Sequence, residues 1–250
     1  MAALASMTAC APTVKIGEWT CAEDGTPTVI PPIDAGIDVG WKATFENRLC
    51  DYEALNGYCY PSEPSFELVT TPVHEGKFAM AFHVQSDDPT ADQSRCVRQG
   101  ALPEAAYYGA WYYLPEASVN TSNWNLLHWE TGTITNVDGT LDLSLVNANG
   151  GLQVAVFDMN YKRVGSPKAN AVMVPIGSWF RVQLYLNRSA NGPGEISLSL
   201  DGQEIFDERN LTTEKPNSNF GRWYVGNLAN ALTPAASTVY VDDITISDTL

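Results

Sequence analysis

The chain has 250 residues, of which 44% are hydrophobic and only 17% are charged, a composition that suits one large all-β domain with a full-sized core. Its 29 acidic and 14 basic residues give a formal net charge of -15. That negative field excludes nucleic acid and anionic membrane surfaces as partners, and it disfavours a strongly anionic polysaccharide unless a local basic groove or a bound cation reverses it.

The N-terminal 40 residues are expected to precede the folded domain. Residues 1–10 are small and apolar and end in Met7-Thr8-Ala9-Cys10, which resembles the lipobox of bacterial lipoproteins. No basic residue precedes Cys10 and the apolar run is short for a signal peptide, so Cys10 is either a lipidated residue of a partial leader or part of an irregular end. Residues 11–40, broken by Pro and Gly, predict an arm or linker before a domain at 41–250. A leader predicts an extracellular or cell-surface bacterial protein that contacts membrane only through a lipid anchor.

The remaining cysteines are even in number, which in a chain that looks exported predicts two disulfides among Cys21, Cys50, Cys59 and Cys96. Three pairings are open. Cys50 with Cys59 is the local expectation, because the loop between them is rich in turn-forming residues. Free buried thiols are the alternative. The cysteines and histidines have no metal-ligand spacing, so no metal site is expected from them.

From Trp41 onward the sequence predicts about a dozen strands, separated by Gly, Pro, Asn or Asp clusters, and no sustained helical period. Two packed antiparallel sheets are the natural way for strands at this spacing to bury their apolar sides. The predicted strands cover residues 42–46, 66–70, 78–84, 95–102, 107–114, 124–130, 140–147, 151–158, 180–187, 196–200, 203–206, 222–227 and 239–247.

The clearest local signal is a β-hairpin between Gly177 and Phe206. Apolar residues alternate with polar ones in both arms, which is the pattern of half-buried antiparallel strands. Asp201-Gly202 then supplies a turn dipeptide that returns the chain into a further strand. One face of the hairpin is predicted to be buried, and the other carries Arg181, Gln183, Tyr185, Glu195 and Ser197.

The order of these elements, from the Trp-x-Arg-Val at Trp179 to the Asp-Gly turn, resembles the late strands of concanavalin A-like jelly rolls. These include laminin-G-like modules and jelly-roll polysaccharide lyases. The run from His74 to Val84 is similar to their usual motif at this position, and the closing strand from Val239 to Ser247 has a Val-Asp-Asp-Ile core common in the superfamily. The resemblance implies a jelly-roll β-sandwich; it indicates a fold and not an activity.

The chain is rich in side chains suited to sugars, with 7 Trp and 11 Tyr. Aromatic rings stack on the apolar faces of pyranose rings, while polar side chains bond the hydroxyls. Alternation over residues 107–113 directs one aromatic set outward as a platform, unless a loop covers it. The outward set is either Tyr108 with Tyr112, or Tyr107 with Trp111 and Tyr113. Tyr108 and Tyr112 are the predicted substrate contacts. The hairpin residues Arg181, Gln183 and Tyr185 are further candidates for substrate binding.

Among jelly rolls, lyases that cleave alginate, heparin and related uronates resemble this chain over residues 41–250. Arg95-Cys-Val-Arg98 lies where alginate-lyase-like members carry Arg-x-Glu-x-Arg, without its Glu. Asn125-Leu-Leu-His128-Trp-Glu130 lies where they carry Gln-Ile-His, without its Gln. The run Arg222-Trp-Tyr224-Val-Gly-Asn227 lies where they carry a Tyr/Lys strand ending in Gly-x-Tyr-Asn, without its Lys.

The resemblance implies β-elimination, in which a cationic or amide group neutralises the uronate carboxylate, His or Tyr removes the C5 proton, and Tyr protonates the leaving oxygen. On this basis His128, Tyr224, Arg95 and Arg98 are the candidate catalytic residues. The resemblance also implies that the same three runs bind substrate through Asn125, Glu130, Arg222 and Asn227.

Two other interpretations remain open for the function: a non-catalytic carbohydrate-binding module, and a laminin-G-like adhesion module with a protein partner. His128 follows Leu126 at i+2 and therefore shares its side of the strand, which is also typical of a structural histidine. A structural Ca²⁺ at Asp242 and Asp243 is the one cofactor considered, but adjacent strand residues face opposite ways, which favours a simple charge pair. We expect a monomer that binds polysaccharide.

Overall fold

The computed structural model describes residues 40–53, 57–60, 65–86, 91–158, 160–165 and 172–249. The predictions for Cys10, Cys21 and nearly all of the N-terminal arm fall outside these residues. Within them the chain forms strands and one short helix, which confirms the all-β prediction. No helix in the described ranges is long and apolar enough to cross a membrane.

The elements are β1 (Trp41–Ala43), α1 (Cys50–Glu53), β2 (Tyr58–Tyr60), β3 (Phe66–Val69), β4 (Ala79–Gln85), β5 (Asp92–Gly100), β6 (Ala105–Tyr113), β7 (Val119–Thr133), β8 (Asn136–Ala148), β9 (Gly151–Asp158), β10 (Arg163–Val164), β11 (Trp179–Asn187), β12 (Gly194–Leu200), β13 (Gln203–Leu211), β14 (Phe220–Thr233) and β15 (Ala236–Ser247).

The strands form two antiparallel sheets. Sheet A has the order β13-β12-β11-β6-β15-β4-β3, and β1 also pairs with β15. Sheet B has the order β10-β9-β8-β7-β14-β5-β2. Neighbours in each sheet are distant in sequence as often as they are adjacent, so crossovers place late strands in the middle: β15 lies inside sheet A and β14 inside sheet B.

The predicted hairpin is formed by β11 and β12. Val182 pairs with Leu200, and the register continues without interruption to Asn187 opposite Glu195. At the next turn Asp201 and Gly202 both have positive φ, 49° and 76°, the combination that a two-residue hairpin turn with the correct twist requires. The alternation in the sequence therefore specifies this part of sheet A directly.

The core lies between the sheets and is built around large aromatic side chains. The Trp223 ring of sheet B stacks on Trp129 at 6.2 Å between ring centroids and meets the Tyr108 ring of sheet A edge-on at 5.0 Å. Tyr112 donates a hydrogen bond from its hydroxyl to the Leu126 carbonyl at 3.4 Å. Tyr108 and Tyr112 are fully buried, so their prediction as substrate contacts is wrong; the outward set is Tyr107, Trp111 and Tyr113.

Two further candidate site residues also lie inside the sandwich. The guanidinium carbon of Arg98 is 4.6 Å from the centroid of the Trp41 ring, and the residue is 1% exposed. Asn227 is fully buried: its side-chain oxygen accepts a hydrogen bond from the Trp124 indole at 3.0 Å, and its nitrogen donates to the Phe82 carbonyl at 3.3 Å. Asn227 thus ties sheet B to sheet A, and neither residue can contact a substrate.

The disulfide prediction needs one correction. Cys59 of β2 lies directly opposite Cys96 of β5, and these two residues form a disulfide. The expected pairing of Cys50 with Cys59 is therefore wrong, because strand pairing between β2 and β5 brings a distant cysteine closer than the local loop does. Cys50 is disulfide-bonded as well.

Gly226 of β14 lies opposite Arg95 of β5 and has φ of +152°. A Cβ atom there would collide with the Ser94 carbonyl oxygen and lie 2.7 Å from the Arg95 Cα. We expect Gly226→Ala to lower the free energy of unfolding by roughly 1–3 kcal/mol through backbone strain and displacement of β5, measured by urea denaturation.

Gly151 of β9 is the matched control, because it has the same φ of +152° and nothing within 4 Å of an added Cβ. Gly151→Ala carries the strain of the backbone without the collision. Equal losses in the two variants would contradict the expected steric role of Gly226.

Candidate active site

Polar side chains converge on the face of sheet B that points away from the core. Pairing across the strands places His128 of β7 opposite both Tyr224 of β14 and Asp142 of β8. Two residues further along β7, Glu130 lies opposite Arg222 of β14. Because directly paired residues share a face of a sheet, these five side chains form one cluster.

His128 is held in one orientation by an acidic partner. Its Nδ1 lies 2.6 Å from Oδ1 of Asp142, and the Asn125 side-chain nitrogen donates to the same oxygen at 2.7 Å. Asn125 also donates to the Leu127 carbonyl at 3.0 Å. An ionised Asp142 accepts the Nδ1 proton of a neutral imidazole, which leaves the Nε2 lone pair available.

A second network surrounds Glu130. Its Oε2 accepts hydrogen bonds from the Tyr224 hydroxyl at 3.0 Å and from Nη1 of Arg222 at 3.1 Å. Its Oε1 lies 3.6 Å from Nε2 of His128. Glu130 thus separates the imidazole from the phenol hydroxyl and holds both in place.

Arg95 and Tyr60 complete the cluster around the Tyr224 ring. The guanidinium carbon of Arg95 is 5.5 Å from that ring's centroid, and the ring of Tyr60 is 6.3 Å away. Arg95 is only 6% exposed, and its buried Nε has no hydrogen-bond partner among the described residues. A buried cation with spare donor capacity is suited to bind an anionic ligand.

The environment shifts the pKa values of the acid and base groups. Burial alone would lower the pKa of His128, but hydrogen bonds to Asp142 and Glu130 outweigh it, so the pKa lies above the usual 6.5. Burial also opposes ionisation of Glu130, yet its bonds to His128, Tyr224 and Arg222 bring its pKa below the usual 4.5. Burial, followed by the charge of Glu130, raises the pKa of Tyr224 well above 10.0.

The arrangement therefore pairs a proton acceptor with a proton donor. The His128 and Tyr224 rings have centroids 5.3 Å apart. The raised pKa of His128 makes its imidazole more basic than usual, while the raised pKa of Tyr224 keeps the phenol protonated throughout the usual pH range. Arg95 and Arg222 supply positive charge beside them in a strongly acidic protein. Such a cluster can remove a proton from one atom of a ligand and deliver a proton to a neighbouring atom.

Comparison with known proteins identifies the family. The family model described as polysaccharide lyase matches residues 36–245. The chain belongs to the polysaccharide lyase family.

Solved structures place this lyase-family chain in the expected fold. An endo-β-1,4-glucuronan lyase from the fungus Trichoderma reesei aligns with a TM-score of 0.62 at 17% identity, covering 77% of this chain and 90% of that one. The cellulose-induced protein Cip1 aligns with a TM-score of 0.58 at 16% identity, over 83% and 97%. An alginate lyase from Aplysia kurodai aligns at 0.57 and 10% identity, over 84% and 99%. The predicted jelly-roll β-sandwich is thus confirmed. No curated protein matches the sequence.

Within the lyase fold the predicted site residues separate into three groups. The cluster on sheet B unites Arg95, Asn125, His128, Glu130, Arg222 and Tyr224. Arg98, Tyr108, Tyr112 and Asn227 are buried in the interior. Arg181, Gln183 and Tyr185 alternate with core residues of β11 and therefore lie on the outer face of sheet A, on the other side of the molecule. They cannot contact a ligand bound at His128.

Sequence reasoning missed two members of the cluster, Asp142 and Tyr60. The outward position of Asp142 can be predicted from the sequence, because an alternating strand that buries Leu141, Leu143 and Leu145 directs the residues between them outward. Tyr60 lies on a three-residue strand whose place beside β5 depends on long-range pairing, and no local pattern indicates it.

The predicted Ca²⁺ position is occupied by protein contacts. The Asp243 carboxylate contacts the Lys42 ammonium at 2.7 Å and Nδ1 of His74 at 2.7 Å. Asp242 accepts the backbone N–H of His74 at 3.0 Å, and burial raises the pKa of Asp242 to about 6. His74, Glu75 and Asp243 could together offer three ligand atoms within 4.8 Å of one another, fewer than the six to eight oxygens that Ca²⁺ prefers. A structural Ca²⁺ remains a prediction.

Proposed function

We propose that this protein is an active lyase that cleaves a uronate-containing glycan by β-elimination. The observation that carries the proposal is the placement of His128, oriented by Asp142, with its ring centroid 5.3 Å from that of Tyr224. Family membership supports the reaction class, and the names of the aligned glucuronan and alginate lyases support a uronate substrate.

In the proposed reaction, Nε2 of His128 takes the C5 proton of the uronate. The electrons of the C5–H bond form the C4–C5 double bond, the C4–O4 bond breaks, and Tyr224 gives its proton to the departing oxygen. Arg95 stabilises the negative charge that develops on the carboxylate, while Arg222 keeps Glu130 ionised and aligned. The net charge of -15 disfavours an anionic substrate, but Arg95 supplies a cation beside the Tyr224 ring to which the carboxylate can bind.

The purified protein should be incubated with glucuronan, alginate, heparin and neutral xylan. Elimination produces an unsaturated sugar end that absorbs ultraviolet light, and its product is lighter by one water than a hydrolysis product. We expect such products from at least one polyuronate and none from xylan. A protein that binds a polyuronate without cleaving it would be a carbohydrate-binding module, and the lyase proposal would fail.

The pH dependence of the reaction should report His128. A general base must be neutral to accept a proton, and the pKa of His128 lies above 6.5 in the free protein. Therefore kcat/KM should fall as the pH drops through the raised pKa and reach a plateau above it. Tyr224 adds no alkaline decline within the usual range because its pKa is raised. In Asp142→Asn the decline should move to lower pH, since a bond that stabilises the imidazolium is lost. An unmoved profile would mean that another group controls the rate.

We further infer that the protein is exported, since disulfides such as Cys59–Cys96 persist in oxidising compartments. Lipidation at Cys10 remains a prediction that mass spectrometry of the protein from its native membrane fraction would test.

A further inference from the structure

The outer face of sheet A contains a groove remote from the cluster at His128. The groove has a volume of about 390 Å³, within the range of about 300–1,000 Å³ that is typical of small-ligand sites. It lies over β6, β11 and β12, whose inward residues form the core. The groove therefore opens on the opposite side of the sandwich from the candidate active site.

Two tyrosines form one wall of this groove. Tyr107 of β6 pairs directly with Tyr185 of β11, and their ring centroids are 4.8 Å apart with the planes inclined at 45°. Both side chains are partly exposed. Adjacent aromatic faces of this kind can stack on the apolar faces of sugar rings.

A buried polar group without a partner lies beside them. Gln183 lines the groove and is 5% exposed, and its side-chain Nε2 has no hydrogen-bond partner among the described residues. Leaving a buried donor unpaired is unfavourable, so a ligand that supplies an acceptor would recover free energy on binding.

The charge of the groove selects the kind of glycan. Its charged lining residues are all acidic: Glu195, Glu204 and Asp207. The nearby Arg209 is already engaged, at 3.3 Å from Glu195 and 3.2 Å from Asp207. Carboxylates accept hydrogen bonds from sugar hydroxyls but repel uronates, whereas the cluster on sheet B contains Arg95, whose Nε has no partner among the described residues.

We propose that the groove on sheet A is a second glycan site that binds a neutral, hydroxyl-rich polysaccharide. Tyr107 and Tyr185 stack on sugar rings, and the carboxylates accept bonds from hydroxyl groups. The buried amide of Gln183 turns toward the groove and donates a hydrogen bond from its floor. The two faces of the sandwich then bind glycans of different charge, so the protein can be held on a neutral polymer while its other face remains open.

The site is tested by affinity electrophoresis of the full chain in gels that contain mixed-linkage β-glucan, glucomannan or glucuronan. We expect retardation by at least one neutral polymer. Tyr185→Ala and Gln183→Leu should each weaken that retardation about tenfold or more, equivalent to the loss of one or two good contacts. Gln183→Leu removes the amide with little change in volume, so it separates hydrogen bonding from folding, and circular dichroism monitors the fold of both variants.

Tyr161→Ala is the matched control, because Tyr161 is a 77% exposed tyrosine that lines a different groove, next to Asp142. It should leave binding of the neutral polymer unchanged. Any elimination activity should be unaffected by Tyr185→Ala. Gel retardation therefore tests the second site, and elimination activity tests the lyase proposal independently. Absence of retardation by both neutral polymers, or retardation that persists in Tyr185→Ala and Gln183→Leu, would overturn the proposal. So would glucuronan binding that is lost in these variants.

Discussion

His128→Ala should reduce kcat for the elimination reaction by about 10²–10⁴-fold, the contribution typical of a positioned general base. The side chain has an acidic partner at Nδ1, 2.6 Å away, and its Nε2 faces the cluster that contains Glu130 and Tyr224. Alanine removes the proton acceptor and leaves Arg95 in place, so the change in KM should be much smaller. The measurement is the initial rate of ultraviolet absorbance at saturating polyuronate.

His83→Ala provides the matched control. His83 is also a strand histidine with polar partners, bonding Thr238 at 2.9 Å and Glu67 at 3.3 Å, but it lies on β4 of sheet A. Its loss should leave kcat close to that of the unmodified protein. If both variants lose activity equally, the effect is structural; if His128→Ala retains full activity, His128 is not the base.

The fold was predictable where patterns are local. The alternation in β11 and β12 and the Asp201-Gly202 turn specify a hairpin without reference to the rest of the chain, and the structure contains it. The partner of Cys59 was not predictable, because it depends on β2 lying beside β5. Loop length favours near cysteines, whereas pairing of strands from different parts of the chain decides the actual bond.

The face on which His128 lies illustrates a second limit. Strict alternation puts His128 on the same side as Leu126, which is in the core. The structure has an irregularity between Asn125 and Leu127, where β7 has one residue more than β8, and both Leu126 and Leu127 are fully buried. An extra residue reverses the inside–outside order, so Asn125 and His128 both contact Asp142 although they are three positions apart. A bulge of this kind leaves no clear mark in the sequence.

The residues of the cluster were partly predictable, and their cooperation was not. The family resemblance indicated His128 and Tyr224, but their contact arises from the register of β7 against β14. Arg95 and Arg98 were equal candidates by motif. Three positions apart on one strand, they face opposite ways, and only the packing of Arg98 against Trp41 shows which of them is inside.

Tyr224→Phe should lower kcat by about 10²–10⁴-fold while KM changes little. The substitution removes only the hydroxyl and keeps the ring that lies beside Arg95, so binding of the uronate should survive. The raised pKa of Tyr224 keeps this hydroxyl protonated, which suits a proton donor and not a base. Without it, the glycosidic oxygen must leave as an unassisted alkoxide.

The matched control is Tyr240→Phe, a partly buried tyrosine of β15 that lies on sheet A, remote from Glu130. It should retain most of the activity. A sharper test uses a synthetic uronate with an aryl leaving group at C4, because such a group departs without a proton. If Tyr224 is the acid, Tyr224→Phe should approach the unmodified protein on this substrate, whereas His128→Ala should remain inactive on it, since removal of the C5 proton is still required. An equal defect of Tyr224→Phe on both substrates would show that the hydroxyl acts before the bond to the leaving group breaks, through its contact with Glu130.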